Sequence, residues 1–362
     1  MRIVQIIDSL DTGGAERMAV NYANALSNKV EFSGLVVTRK EGLLLNQIDK
    51  EVFYLFLDKK KSFDLRALLI FRNFIKTNKV QIVHAHSSSF FTSILLKLTL
   101  PKLKIIWHDH FGISQDLTLR KNVILKFSSF LFLGIVSVNR SLKTWAESYL
   151  HCKNVIYLPN FIYQSDRKQD HFSLKGTEGK RIICIANLRP QKNHNLLIEG
   201  ASMLHEKFPD WTFHCIGKDF KDNHSKKLKE KVSCLNLQET VFFYDAVNNV
   251  SSLLKQGDIA VLTSFSEGLP LAILEYGLYN LPVIATEVGE IRKVIPSEKE
   301  GLVIESDNLD QLVKSLQILI LNDSQRRELA ENLHKYINEN FSESSILKEY
   351  LLWLQTLIKF TE

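Results

Sequence analysis

The chain has 362 residues, 45% of them hydrophobic and 24% charged, a globular composition that excludes a disordered or collagen-like polymer. At roughly 100–200 residues per domain its length suits two domains. Charge is uneven: residues 1–162 carry 22 Lys and Arg against 12 Asp and Glu, a net +10, whereas residues 163–362 carry 24 against 28, a net −4.

Mean hydropathy is −0.06, and no apolar run approaches the ~20 residues that cross a bilayer. The longest candidate, Val123–Val138, contains Lys126 and reads as a buried helix running into a strand. The opening MRIVQIIDSLD meets an acid at Asp8, unlike a signal peptide. Cys152, Cys184, Cys215 and Cys234 form no Cys-x-x-Cys pair, which fits reduced, buried thiols in a cytosolic protein.

In chain order, RIVQIID reads as a strand, and AERMAVNYANALS as a helix with Ala15, Met18, Ala19, Tyr22, Ala23 and Leu26 on one face. GLVVT, VFYLFL, QIVHAH, LKIIWH, GIVSV and VIYLP continue as strands, with helical segments such as LRALLIFRNFIK among them. The polar stretch Tyr163–Lys180 marks a domain boundary. Strands resume with RIICIANL, WTFHCIG, TVFFYD, DIAVLTS, PVIAT and GLVIE, and three helical segments close the chain, ending in SILKEYLLWLQTLIKF. Continuous apolar strands are buried on both faces, hence parallel sheets covered by helices. The expectation is an α/β chain of two Rossmann-like domains, 1–162 and 163–344, facing each other across a cleft. In such sheets ligands meet the carboxyl ends of strands.

Four constellations fall at such ends. Gly13 and Gly14, in DTGGAER, permit close backbone approach where a helix begins, an arrangement that serves an anion or a plain turn. In SFSEGLPLAILEYG, Pro270 suits a first helical turn, Glu267 lies in the loop before it and Glu275 inside the helix. Two carboxylates there either cap the helix or hold the hydroxyls of a ligand whose phosphates sit on its amides. Arg189 and Lys192, in NLRPQKNH, are cations that are either simply solvated or able to neutralise a diphosphate without a metal. His84 with His86, and His108 with His110, form two His-x-His pairs that suit either strand-end hydrogen bonding or a metal, with Asp109 as a further ligand. No Asp-x-Asp occurs.

With those residues in place, the chain resembles glycosyltransferase family 4, retaining enzymes of the GT-B fold, over essentially its whole length. The resemblance rests on E-x7-E at Glu267 and Glu275, GGAER at Gly13–Arg17 and RPQKN at Arg189–Asn193. It implies that Glu275 binds the donor ribose and Glu267 the hydroxyls of the transferred sugar. Gly268, Leu269 and Leu271, with Arg189 and Lys192, would hold the diphosphate, and Gly13 and Gly14 would approach it. His110 matches the active-site histidine, with His108 the second choice. The last helix, 345–362, would cross back to the first domain. Two departures stand out: Asn187 replaces a usual basic residue, and Glu290 and Lys293 replace a usual Gly and Glu.

The implied function is transfer of a sugar from a nucleotide-sugar, a UDP-sugar, to a glycan or lipid-linked saccharide in cell-surface polysaccharide synthesis. No metal and no cofactor are expected, and the nucleotide-sugar is a substrate. Basic clusters at Lys59–Lys79 and Lys97–Lys126, interleaved with Leu, Ile and Phe, suit either solvated helix faces or an anionic membrane surface, and the latter more than nucleic acid, for which no motif is present. The expected location is the cytoplasm, with a peripheral position on the inner membrane face where the clusters meet lipid. A metal-dependent hydrolase using the His-x-His pairs, a non-catalytic nucleotide-sugar-binding module and a sugar epimerase are the alternatives.

Overall fold

The computed structural model describes residues 1–111, 117, 120, 122–163, 173–247 and 250–359. Outside them lie 164–172 of the expected boundary stretch, Lys121 of the basic clusters and the last three residues of the closing segment. The chain divides into two compact units, Met1–Ser165 with Ser342–Glu362, and Asp166–Phe341. The sequence reading sets these junctions at 162/163 and 344/345.

The first unit contains strands Arg2–Ser9 (β1), Phe32–Lys40 (β2), Phe53–Phe56 (β3), Ile82–His86 (β4), Lys104–Asp109 (β5), Gly134–Ser137 (β6) and Val155–Tyr157 (β7). They form one sheet in the order β3-β2-β1-β4-β5-β6-β7, every neighbouring pair parallel. Alternation along β1 explains its unbroken hydrophobicity. Val4 and Ile6 enter a core with Leu68 and Phe71 of the helix Leu65–Thr77. Ile7 enters another with Ala19 and Ala23 of the helix Gly14–Ser27.

That helix is buried continuously from Met18 to Leu26, rather than on the single face its periodicity suggests. The helix Glu343–Lys359 covers its outer side, with Tyr350 meeting Tyr22 ring to ring at 5.1 Å. Asn21 and Asn24 tolerate this burial because their Nδ2 groups donate to the carbonyls of Phe161 at 2.9 Å and Gln47 at 2.7 Å. The closing helix buries Ile346, Leu347, Tyr350, Leu354 and Leu357 on one stripe. A Cβ added to Gly134 would lie 2.6 Å from the Trp353 ring, so β6 needs that glycine to admit the helix.

The second unit contains Arg181–Ile185 (β8), Thr212–Ile216 (β9), Val241–Tyr244 (β10), Ile259–Leu262 (β11), Val283–Thr286 (β12) and Leu302–Ile304 (β13). Its sheet runs β10-β9-β8-β11-β12-β13, again with parallel neighbours. Each sheet reverses its strand order once, between β1 and β4 and between β8 and β11.

Two expectations are corrected. Val123–Val138 does run into a strand, β6, but its helix is not buried: it covers only Val123–Ser128, buries Leu125 and Ser128, and leaves Phe127 65% exposed. One short helix has a single inward side, and the apolar residues of its other side meet solvent. Cys234, at the end of the helix Asn223–Cys234, is exposed, whereas the other three thiols are buried.

Candidate functional site

In the second unit the polar side chains gather where the strand order reverses. After β8 the chain makes a short turn, Pro190–Lys192, into Asn193, which adopts a left-handed conformation at φ 47°. After β11 the loop from Thr263 is tied to that turn. Thr263 Oγ1 donates to the carbonyls of Lys192 at 3.1 Å and Asn193 at 3.0 Å, and the Phe265 amide donates to Gln191 at 2.8 Å. Across this joint Lys192 Nζ pairs with Glu267 Oε1 at 2.6 Å, and Ser264 Oγ donates to the same oxygen at 2.5 Å. Glu267 is only 7% exposed. A carboxylate so withdrawn from water requires such partners.

Glu267 leads through Gly268 and Leu269 to the helix Leu271–Leu278, on which Glu275 is also buried. Pro270 is the residue before the first turn, not within it, and its own ring offers that end no cap. Tyr276 pins the helix beneath the sheet: its hydroxyl accepts from the Ile185 amide at 2.7 Å and donates to the Val261 carbonyl at 3.4 Å. The first-turn amides therefore stand at a defined place above β8 and β11, the arrangement that suits an anion.

The loop after β12 closes on this turn. Gly289 has φ 57°, a Cβ there would lie 2.0 Å from the Glu267 carbonyl oxygen, and the Glu290 amide donates to Gly268 O at 3.1 Å. The two residues that depart from the family pattern, Glu290 and Lys293, form an ion pair with each other. Asn187 accepts from the Lys218 amide at 2.9 Å and so holds the loop after β9. Arg189 is exposed, its guanidinium 4.8 Å above Phe220 and outside the Lys192–Glu267 pair.

The first unit presents a different group at its reversal. Gly13 precedes the helix Gly14–Ser27 in extended conformation, and a Cβ added to Gly14 would meet nothing within 4 Å. Nothing in the unit's own packing requires glycine there. Beside it, pairing of β4 with β5 sets His86 opposite His108, and pairing with β1 sets His84 opposite Gln5. His108 stacks on His110 with centroids 3.9 Å apart, and His84 on His108 at 5.1 Å. Tyr22 meets His84 edge-on at 5.1 Å.

Burial pushes His84, His86 and His108 well below the ordinary imidazole range and His110 down to about 3, so all four rings are neutral near pH 7. Neutrality fixes the hydrogen-bond direction. His86 Nε2 lies 2.9 Å from Gln5 Oε1, which only accepts, so Nε2 carries the proton. His86 Nδ1 then accepts from His110 Nε2 at 2.8 Å, leaving the lone pair of His110 on Nδ1. Tyr350 Oη lies 2.8 Å from His84 Nδ1, and both ring nitrogens of His108 lack a hydrogen-bond partner among the described residues.

His84, His86 and His108 each offer a nitrogen within 4.8 Å of the others, a trio that could gather on a metal ion. Tetrahedral zinc, with Zn–N near 2.0–2.1 Å, would need those nitrogens only about 3.4 Å apart. Both nitrogens of His86 are already engaged. Asp109, the further ligand that the metal alternative would use, is engaged elsewhere: Arg120 grips it in a fork at 2.5 and 2.8 Å. Arg120 in turn lies 4.2 Å from the ring centroid of Trp145.

Sequence reasoning missed Ser264, Tyr276, Gly289, Gln5 and Tyr350. Only the hydroxyls next to Glu267 in TSFSEG left a local trace. The others reach their partners through strand register or from distant segments.

Two doubly wound parallel sheets, each gathering polar side chains at its strand-order reversal, define a protein of paired Rossmann-like domains built to act on a bound ligand. Residues 12–164 match the model of Glycosyltransferase Family 4, and residues 165–336 match that of Glycosyl transferases group 1. The chain belongs to this glycosyltransferase family and has the GT-B fold. It is similar to the UDP-Gal:alpha-D-GlcNAc-diphosphoundecaprenol alpha-1,3-galactosyltransferase of Escherichia coli, 25% identical over 91% of this chain and 90% of that one. It is also similar to an alpha-1,4-N-acetyl-D-galactosaminyltransferase of Campylobacter jejuni named for a PP-undecaprenol-linked saccharide, 26% identical over 97% of both chains. Among solved structures, Anabaena HepE in complex with UDP-glucose shares the fold at TM-score 0.78 and 14% identity, covering 98% of this chain and 100% of that one.

Proposed function

We propose that this glycosyltransferase moves a hexose from a UDP-sugar to a glycan or lipid-linked saccharide in cell-surface polysaccharide synthesis, with retention of configuration and without a metal. The observation that carries this reading is the Lys192–Glu267 pair, set at 2.6 Å beside the start of the helix Leu271–Leu278. Breaking a sugar–phosphate bond leaves charge on the diphosphate, and stabilising that charge is the main catalytic task. Lys192 and the amides near Gly268, Leu269 and Leu271 supply fixed positive potential for it, with Arg189 close along the same loop. Glu275 accepts from the ribose hydroxyls, and Glu267 holds Lys192 while accepting from the sugar. In the first unit, the Nδ1 lone pair of His110 and the open backbone at Gly13 and Gly14 supply the remaining contacts.

The Escherichia coli relative supports a UDP-sugar donor, and both named relatives support an acceptor carried on a lipid diphosphate. Among the described residues no helix is long and apolar enough to cross a membrane. Peripheral attachment at the inner face would bring such acceptors within reach. The test is transfer from a panel of UDP- and GDP-sugars to undecaprenyl-diphosphate saccharides in excess chelator, with product configuration read by NMR. Retained-configuration product in chelator is expected. A requirement for added divalent metal, or donor hydrolysis alone, would overturn the reading.

A further inference from the structure

The sequence singled out two basic clusters, and the structure separates their members. Lys59 is 7% exposed and donates to Thr92 Oγ1 at 2.6 Å. Lys97 donates to the Leu103 carbonyl at 2.5 Å, and Arg120 holds Asp109. These three serve the fold. Arg72, Lys76, Lys79, Lys102 and Lys104 instead line one hollow of about 860 Å³. Among the described residues no carboxylate lines it, and none of the five lies in an ion pair.

The fold gathers them from two adjacent returns to the sheet. Arg72 and Lys76 are a turn apart on the helix Leu65–Thr77. Lys79 follows at φ 48°, where the chain doubles back so that the Val80 amide reaches Ile75 O at 3.0 Å. Lys102 sits in the turn after the helix Phe90–Thr99, and Lys104 opens β5, its amide on Gln81 O at 3.0 Å. The hollow thus lies at the amino edge of β4 and β5. A six-residue strand puts it about 20 Å from the carboxyl ends where the histidines stand.

Five like charges around one hollow repel each other, and an anion seated among them relieves that cost. The walls are also apolar, with Val80 and Leu103 lining the hollow. Outside it Leu69, one turn before Arg72, is 55% exposed, and Leu98, beside the lining residue Thr99, is 67% exposed. Leu65, Leu69, Arg72 and Lys76 follow one another at spacings of four, three and four, a single helix face that passes from apolar to cationic.

We infer that this hollow is a headgroup site for an anionic lipid: the phosphate sits among Arg72, Lys76, Lys79, Lys102 and Lys104, and the acyl chains run past Leu69 and Leu98. The inference deepens the reading of peripheral attachment by naming where the surface is gripped, and it stands apart from the transfer chemistry at the other edge of the sheet.

The experiment is flotation of the full chain with phosphatidylglycerol-containing and pure phosphatidylcholine vesicles. Three variants are compared: Lys76→Glu/Lys79→Glu/Lys102→Glu, the hollow-filling Thr99→Trp, and Lys60→Glu/Lys61→Glu outside the hollow. Affinity for the acidic vesicles should fall about tenfold or more in the first two and much less in the third, with thermal midpoints unchanged in all three. Equal loss in the Lys60/Lys61 variant, or wild-type binding by Thr99→Trp, would overturn a localised site. Displacement from vesicles by millimolar glycerol 3-phosphate would overturn the lipid assignment in favour of a soluble phosphate. Transfer to a short water-soluble acceptor should be untouched by Thr99→Trp, so failure of the headgroup site and failure of the sugar-transfer reading give different results.

Discussion

The two units share a topology and differ in what they bury at the same place. Where the strand order reverses in the second unit, a charged pair, Lys192 and Glu267, is held by Ser264 and by two interlocked loops. In the first unit the equivalent position holds four neutral imidazoles, three packed around Tyr22 and the fourth, His110, stacked on His86 and His108. A buried charge demands a partner of opposite sign and a rigid frame, whereas a neutral imidazole demands only hydrogen bonds and ring contacts. Charge is uneven along the chain too, with a net +10 over residues 1–162 and −4 over residues 163–362. The same scaffold thus carries a charged reversal point in one unit and a neutral, aromatic one in the other.

The sharpest way to break this comparison is Lys192→Ala. It leaves Glu267 buried without its cation, and turnover should fall by about 10²–10³ if the ammonium meets the leaving group. Steady-state kinetics with the folded variant checks it, and near-normal turnover would make the pair purely structural.

Acid should separate the units next. A histidine whose folded pKa is depressed binds its proton more readily when unfolded. Its contribution to stability is therefore full above about pH 6.5 and is lost as pH falls toward the folded value. For His110 that window runs from about 6.5 to about 3, and His84, His86 and His108 titrate in the same direction. The second unit holds His194 and His214, each pushed down to about 4. Hydrogen exchange at pH 7 and pH 5 should show the first unit losing more protection than the second. Equal loss would mean that the imidazole cluster is solvated.

Glu275→Ala should weaken UDP binding by about 1.5–3 kcal/mol, the worth of a hydrogen bond to a charged group. Calorimetry measures it, and unchanged binding would remove Glu275 from the donor site. Tyr350→Phe deletes the 2.8 Å bond to His84 and should cost about 0.5–1.5 kcal/mol in chemical denaturation. A null result there would show that the closing helix is held by its apolar stripe alone. The smallest effect on stability belongs to Gly14→Ala, within about 0.5 kcal/mol because an added Cβ meets nothing within 4 Å. Donor KM should nevertheless rise. A large loss of stability would give that glycine a structural reason and withdraw it from the donor.

What the sequence determined by itself follows from short-range physics. Unbroken apolar runs such as RIVQIID and RIICIANL allow little but doubly covered parallel strands, and all thirteen expected strands occur. The glycines and prolines between them set the strand-exit loops, so Glu267, Lys192 and Gly14 were visible as candidates before any contact was known. Tertiary structure decided the rest, because it joins residues that no local pattern relates. Lys192 meets Glu267 across 75 positions, and Tyr350 meets His84 across 266. The Val123–Ser128 helix looked like core from its composition, yet only packing could say that one of its sides has nothing to bury against. The basic clusters divided the same way: composition counted charges, and the fold decided which ones had already found a partner inside and which gathered on one hollow.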